Sequence, residues 1–149
     1  MRAIAPGRVN LIGDHTDYTG GLVFPMAINR HTVIEARFTE DSSISLRSAD
    51  EPDVANFNIP VSDISSLQPQ WARYIAAVAA ECNATRGIAG TISTNIPIGS
   101  GLSSSAALEV ATALALGFDG SPQELAQLTQ RAEHVATGVP TGIMDQLCI

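Results

Sequence analysis

Three short stretches concentrate the residues able to do chemistry. The first runs from Pro6 to Gly21 and packs Arg8, Asn10, Asp14, His15, Asp17 and Tyr18 into eleven positions. Carboxylates, amides and imidazoles set this close can donate to or accept from the hydroxyls of a polyol. One carboxylate can bridge two neighbouring hydroxyls. The competing reading is an ordinary charged turn, since Asp17 and Gly20 are common turn formers. Asp14-His15-Thr16-Asp17 implies no metal, because no second His or Cys stands at ligand spacing.

The second stretch is Pro97-Ile98-Gly99-Ser100-Gly101-Leu102-Ser103-Ser104-Ser105-Ala106-Ala107-Leu108. Its glycines let backbone N–H groups turn toward a ligand. Its serines stand where a helix opens, and a helix N-terminus carries positive potential and unpaired N–H groups. That is the construction of an anion site, and we read it as phosphate binding. A plain strand-to-helix turn needs one capping Ser and at most one Gly. The third stretch is Glu133 to Gln146. Gly138, Pro140 and Gly142 redirect the chain there, and Asp145 follows small or apolar residues. Asp145 either caps a following helix or acts as a functional carboxylate. Glu133 falls late in a helix, where the dipole disfavours an acid. That is a hint of metal coordination, set against a solvated helix face.

Composition narrows the chemistry further. Fifteen acids face eight bases, for a net charge of −7, and all eight bases are Arg. Without Lys there is no Schiff base and no Walker-type GxxxxGK loop. Phosphates would have to be held by backbone amides, serine hydroxyls and a metal. An acidic chain without a basic run is a poor ligand for nucleic acid or for anionic membrane. Two cysteines, Cys82 and Cys148, form no disulfide framework and fit a reducing cytoplasm. No signal peptide is visible, and no apolar run approaches the ~18 residues of a membrane span.

These stretches need elements to position them. Val33 to Phe38 and Ile44 to Arg47 alternate as half-buried strands around a polar turn, with a further short strand at Val54 to Ile59. Trp71, Tyr74, Ile75, Val78 and Cys82 recur at helical spacing, and Gly87 is expected to end that helix. Ile88 to Ile96 reads as a strand and Ser104 to Leu116 as a mostly buried helix. Ser121, Pro122 and Glu124 form a capping box for a helix reaching about Thr137, with Gly138 as its C′ residue. The Pro6 to Tyr18 stretch is expected to be loop. The order implies an α+β domain with helices packed on one sheet. The chain ends on Asp145-Gln146-Leu147-Cys148-Ile149 without a polar tail, and so reads as the front part of something longer.

The three stretches resemble the motifs of the GHMP kinase superfamily and, within it, of the galactokinase family. Pro6 to Tyr18 is similar to the galactokinase signature. Pro97 to Leu108 is similar to the superfamily's PxGxGLSSSAA phosphate loop. Gly142-Ile143-Met144-Asp145-Gln146 is similar to the segment carrying the family's catalytic aspartate. The resemblance implies the ribosomal protein S5 domain 2-like fold of the GHMP N-terminal domain over residues 1–149, without the C-terminal GHMP domain. It implies ATP-dependent phosphorylation of the C1 hydroxyl of α-D-galactose by a cytoplasmic, monomeric parent. Asp145 and Arg8 would be catalytic. Asp14, His15, Asp17 and Gly142 would bind the sugar. Gly99, Ser100, Gly101, Leu102, Ser103, Ser104 and Ser105 would wrap the ATP phosphates, and Ser105 and Glu133 would hold Mg²⁺. Trp71 would lie near the adenine, or else simply pack in the core. The family usually has Glu where this chain has Asp14. A non-catalytic galactose and ATP sensor, or an inactive isolated domain, are the alternatives.

Overall fold

The computed structural model describes residues 1–13 and 16–149. The expected sugar-binding residues Asp14 and His15 lie outside the described residues. Five strands form one sheet in the order β1-β2-β5-β3-β4: β1 (Arg2–Ile12), β2 (Phe24–Phe38), β3 (Ser43–Ser48), β4 (Val54–Asn58) and β5 (Ile88–Thr94). All neighbours pair antiparallel except β3 with β5, which run parallel around helix α1 (Ala72–Glu81). Helices α2 (Ser104–Ala115), α3 (Pro122–Thr137) and α4 (Met144–Cys148) complete the chain.

One sheet face is apolar. Ala3, Ala5, Ile34, Ile44, Leu46, Ala55, Ile88 and Ile92 meet Ala72, Ile75 and Ala79 of α1, and Ala107, Val110 and Ala111 of α2. Complete burial of an Ile or Leu is worth ~1.5–3 kcal/mol each. The opposite face is solvated, and there an exposed Arg2–Glu35 ion pair bridges β1 and β2 at 3.3 Å. Not every helix packs on the sheet, as the sequence had implied. Helix α3 instead lies on α1 and α2, through Leu128 and Ala132 against Ala77, Val78 and Ala113. Covered by the sheet and by α3, α2 is apolar nearly all round, as its sequence implied.

Three local expectations are corrected. Pro6 to Ile12 is strand, not loop, because the inward positions of β1 are the small residues Ala3, Ala5 and Gly7. They let α2 approach closely but give a weak alternation signal. Strand β2 starts at Phe24, well before Val33. Its first half is largely exposed, so no alternation marks it. Helix α1 ends at Cys82, not at Gly87. Asn83 takes the left-handed conformation there, at φ 49°. Gly87 instead presses on the Ser43 carbonyl, where an added Cβ would sit 1.8 Å from the oxygen. The capping box of α3 forms as read, with Ser121 accepting from the Glu124 N–H and Gly138 left-handed at the far end.

Candidate active site

Three pieces converge beside the N-terminus of α2. Strand β1 brings Arg8, the β5–α2 loop brings Gly99 to Ser103, and α4 brings Asp145. The β1–β2 register slips between Pro6 and Arg8, and such bulges commonly re-aim a side chain. Arg8 donates from Nε to Asp145 Oδ1 at 2.7 Å and from Nη2 to Oδ2 at 2.8 Å. This is a bidentate, charge-assisted pair, the strong class of side-chain hydrogen bond. Its third arm, Nη1, donates to the Gly101 carbonyl at 2.8 Å, and the Arg8 N–H donates to the Leu102 carbonyl at 3.2 Å. The Ser103 hydroxyl donates to Asp145 Oδ2. Side-chain exposures of 12% for Arg8 and 25% for Asp145 leave the pair shielded but reachable.

The loop itself is built for backbone donation. Gly99 and Gly101 both take φ 73°, with nothing within 4 Å of where a Cβ would stand. The space beside both glycines is therefore open, while the Ser100 N–H is used inside the loop, donating to the Pro97 carbonyl at 3.3 Å. Ser103 adopts φ 56° as the residue before α2 and makes no capping bond of its own, because its hydroxyl goes to Asp145. Behind this loop lies a cavity of about 200 Å³ between Trp71, Tyr74, Ile92, Ser104, Ser105 and Leu108. The Trp71 Nε1–H is buried there without a partner. Trp71 packs against the core, one of the two places weighed for it, and it also lines this cavity.

Asp17, in a short 3₁₀ turn (Asp17–Thr19), is tied to the same centre. Both of its carboxylate oxygens accept from the Met144 N–H at 3.2 Å. The residue before α4, Ile143, provides no side-chain cap. Asp17 therefore caps α4 from a distant point in the sequence, and Asp145 is not a cap but sits inside the first turn. Gly142 makes this approach possible: a Cβ there would stand 1.8 Å from Asp17 Oδ2.

Glu133 is buried, not on a solvated face. It accepts from Ser105 Oγ at 2.9 Å, Gln146 Nε2 at 2.8 Å and Thr141 Oγ1 at 3.3 Å. Ser105 and Glu133, which lie 28 residues apart in sequence, are thus brought together. Sequence reading missed Thr141 and Gln146 as parts of this site, and it missed Glu109. An acid inside the Ala/Leu/Val run of α2 was the available signal for the last.

Residues 71–149 match the family model for the GHMP kinases N terminal domain. The chain belongs to the GHMP kinase family. Within that family, residues 1–38 match the galactokinase galactose-binding signature. Galactokinase from Bos taurus is 44% identical over 155 residues, covering 96% of this chain and 40% of that protein. The crystal structure of Lactococcus lactis galactokinase complexed with galactose is 35% identical at a TM-score of 0.89, over 99% of this chain and 41% of that one. Mevalonate kinase from Methanococcus jannaschii superposes at 0.78 with 26% identity, over 100% of this chain and 50% of that one. The chain therefore spans about 40% of the length of the curated relatives it matches. The GHMP kinase N-terminal fold expected from sequence is the fold observed. Among the described residues, no helix is long and apolar enough to cross a membrane.

Proposed function

We propose that the protein carrying this chain transfers the γ-phosphoryl group of ATP to the C1 hydroxyl of α-D-galactose, with residues 1–149 as its sugar- and ATP-binding domain. The observation that carries the reading is the bidentate Arg8–Asp145 pair, set between the Gly/Ser loop and the Asp17–Gly142 junction. Asp145 accepts the C1 hydroxyl proton as that oxygen attacks phosphorus. Arg8 is always charged; its two hydrogen bonds orient the Asp145 carboxylate, and it stabilises charge on the transferring group. Asp17 and the backbone at Gly142 against which it packs, together with Asp14 and His15, hold the sugar hydroxyls.

Gly99, Ser100, Gly101, Leu102, Ser103, Ser104 and Ser105 wrap the phosphates, chiefly through backbone N–H groups. The cavity beside Trp71 takes the adenine. The donors at Ser105 and Glu133 fit Mg²⁺, which takes oxygen ligands and is commonly held by one or two carboxylates plus substrate phosphates. When bound, Mg²⁺ supplies neutralisation of phosphate charge. Two free cysteines are consistent with the cytoplasm as the compartment, and we take the parent to be monomeric. A coupled ADP-release assay on the full-length protein tests the reading. Galactose-dependent turnover is expected, and ATP binding without turnover on any sugar would refute it.

A further inference from the structure

At Ser103 the backbone and the side chain of the Gly/Ser loop ask for different residues. Its φ of 56° and ψ of 49° lie in the left-handed region, which glycine enters freely and a residue with a Cβ enters at a cost. The other two left-handed positions of the loop, Gly99 and Gly101, are both glycine. Among the described residues Asn83 is the other non-glycine with positive φ, and asparagine is one of the side chains enriched there. Serine at 103 therefore needs a reason that its backbone does not supply. Capping is not that reason: Ser103 precedes α2, yet its hydroxyl makes no bond to the N–H groups of the helix.

The reason lies in what the hydroxyl reaches, which is Asp145 Oδ2. A serine Oγ hangs from its backbone by a single rotatable bond, so the contact ties the carboxylate closely to the start of α2. That start is firm. The Ser103 carbonyl accepts from the Ala107 N–H at 3.0 Å, and Ala107 belongs to the core. Asp145 needs such an anchor, because α4 is only five residues long and the residue before it provides no side-chain cap. Arg8 alone does not fix the carboxylate. Its Nη2 lies 2.7 Å from Oδ1 and 2.8 Å from Oδ2, so a carboxylate sliding along the guanidinium edge keeps a donor in reach. The same slide breaks the bond from Ser103.

We propose that Ser103 is a positioning residue held in a strained backbone: its hydroxyl fixes where the Asp145 carboxylate stands, and the left-handed conformation aims the hydroxyl there. The side chain is thereby committed to Asp145, and the part left to Ser103 in holding phosphate is that of its backbone. The inference rests on the role proposed for Asp145.

The test uses the full-length protein with Ser103→Gly and Ser103→Ala. Both variants lack the hydroxyl, but only glycine takes φ 56° freely. Ser103→Gly should lower kcat on galactose by about tenfold or more, since misplacing a reacting group by ~1 Å can cost ~10²-fold, while the Kd for ATP stays essentially unchanged. Ser103→Ala should lose kcat to the same extent and melt at a lower temperature than Ser103→Gly. A double-mutant cycle separates positioning from a general packing role. In an Asp145→Asn background, Ser103→Gly should lower kcat little further. Wild-type kcat in Ser103→Gly, a loss of ATP affinity as large as the loss of turnover, or additive kcat losses in the cycle would each overturn the proposal. Ser103→Ala melting at or above Ser103→Gly would overturn it too, because the backbone would then carry no strain. If the wild type phosphorylates no sugar, the role of Asp145 falls and this inference falls with it. Galactose turnover that Ser103→Gly leaves intact overturns this inference alone.

Discussion

Gly142→Ala joins the galactose signature to the aspartate helix through one methyl group. The ideal Cβ would stand 1.8 Å from Asp17 Oδ2, 2.0 Å from Cγ and 2.5 Å from Oδ1. Ordinary contact needs roughly 3.4 Å or more, so the carboxylate has to retreat by about 1.5 Å. Its two 3.2 Å contacts with the Met144 N–H cannot survive that movement. Losing a hydrogen bond to a charged acceptor costs about 1.5–3 kcal/mol. In a domain of this length that lowers Tm by roughly 3–12 °C, and in the longer full-length protein by less. With its cap gone, α4 loosens, and a displacement of ~1 Å at Asp145 is worth up to ~10²-fold in kcat. On the sugar-holding role proposed for Asp17, galactose KM should rise as well. ATP affinity should hold, since the Gly/Ser loop does not touch Gly142. Calorimetric Tm, galactose kinetics and ATP titration on the full-length protein give all the quantities. A thermal double-mutant cycle sharpens the test. In an Asp17→Ala background the new methyl meets no carboxylate, so Gly142→Ala should cost almost nothing further. Additive Tm losses in the cycle, or wild-type kinetics for Gly142→Ala alone, would refute the steric account.

Three further outcomes follow from the same geometry. On the roles proposed above, with the Ser105 hydroxyl beside Glu133 serving the cation and backbone N–H groups the phosphates, Ser105→Ala should weaken Mg·ATP more than metal-free ATP. Calorimetry with and without Mg²⁺ decides this, and equal losses would make Ser105 a purely structural partner of Glu133. Ser121→Ala removes the hydroxyl half of the α3 capping box, leaving the backbone N–H of residue 121 on Glu124, and should cost about 0.5–2 kcal/mol without touching kinetics. A thermal melt checks it, and an unchanged Tm would contradict it. Burial, with the neighbouring Glu133, raises the Glu109 carboxyl from 4.5 to about 10, so the native state keeps a proton that the unfolded chain releases. Its contribution is complete below pH 4.5 and is lost as pH rises toward 10, at up to ~1.4 kcal/mol per pH unit. Chemical denaturation across that window should show this decline in the wild type and a flatter profile in Glu109→Gln. Parallel profiles would mean that Glu109 is ionised in the folded protein.

The parts of the site legible from sequence were those whose chemistry is local. Gly99 to Ser105 read as a glycine-rich turn opening a helix, and α2 does open at Ser104, because backbone freedom and helix-terminal donors are properties of consecutive residues. The α3 capping box was legible for the same reason. Arg8 and Asp145 were nominated as catalytic residues through resemblance, and no local rule pairs residues 137 positions apart. The β1 bulge and α4 bring them together, and neither signals itself. Strand β1 hides its inward face in Ala and Gly, and α4 is only five residues long.

The supporting contacts were the least legible. Asp17 read as a turn former or sugar ligand, while its service as the cap of α4 depends on a clearance that only tertiary packing creates at Gly142. Glu133 was singled out because an acid late in a helix opposes the dipole. Its actual environment, a buried carboxylate taking three donors, depends on residues from α2, α4 and the segment after α3. Glu109 interrupts an apolar run, and in a buried helix an acid without a spacing rule attached to it carries no local explanation.

In the proposed reaction Asp145 acts on the sugar hydroxyl while the Gly/Ser loop independently holds the nucleotide. Asp145→Asn keeps the shape of the side chain and removes its charge and its ability to take a proton. Turnover on galactose and the Kd for ATP should be measured side by side on the full-length protein. In Asp145→Asn, kcat should fall by about 10²–10⁴-fold, with ATP affinity essentially unchanged. A wild-type kcat, or a loss of ATP affinity as large as the loss of turnover, would contradict it.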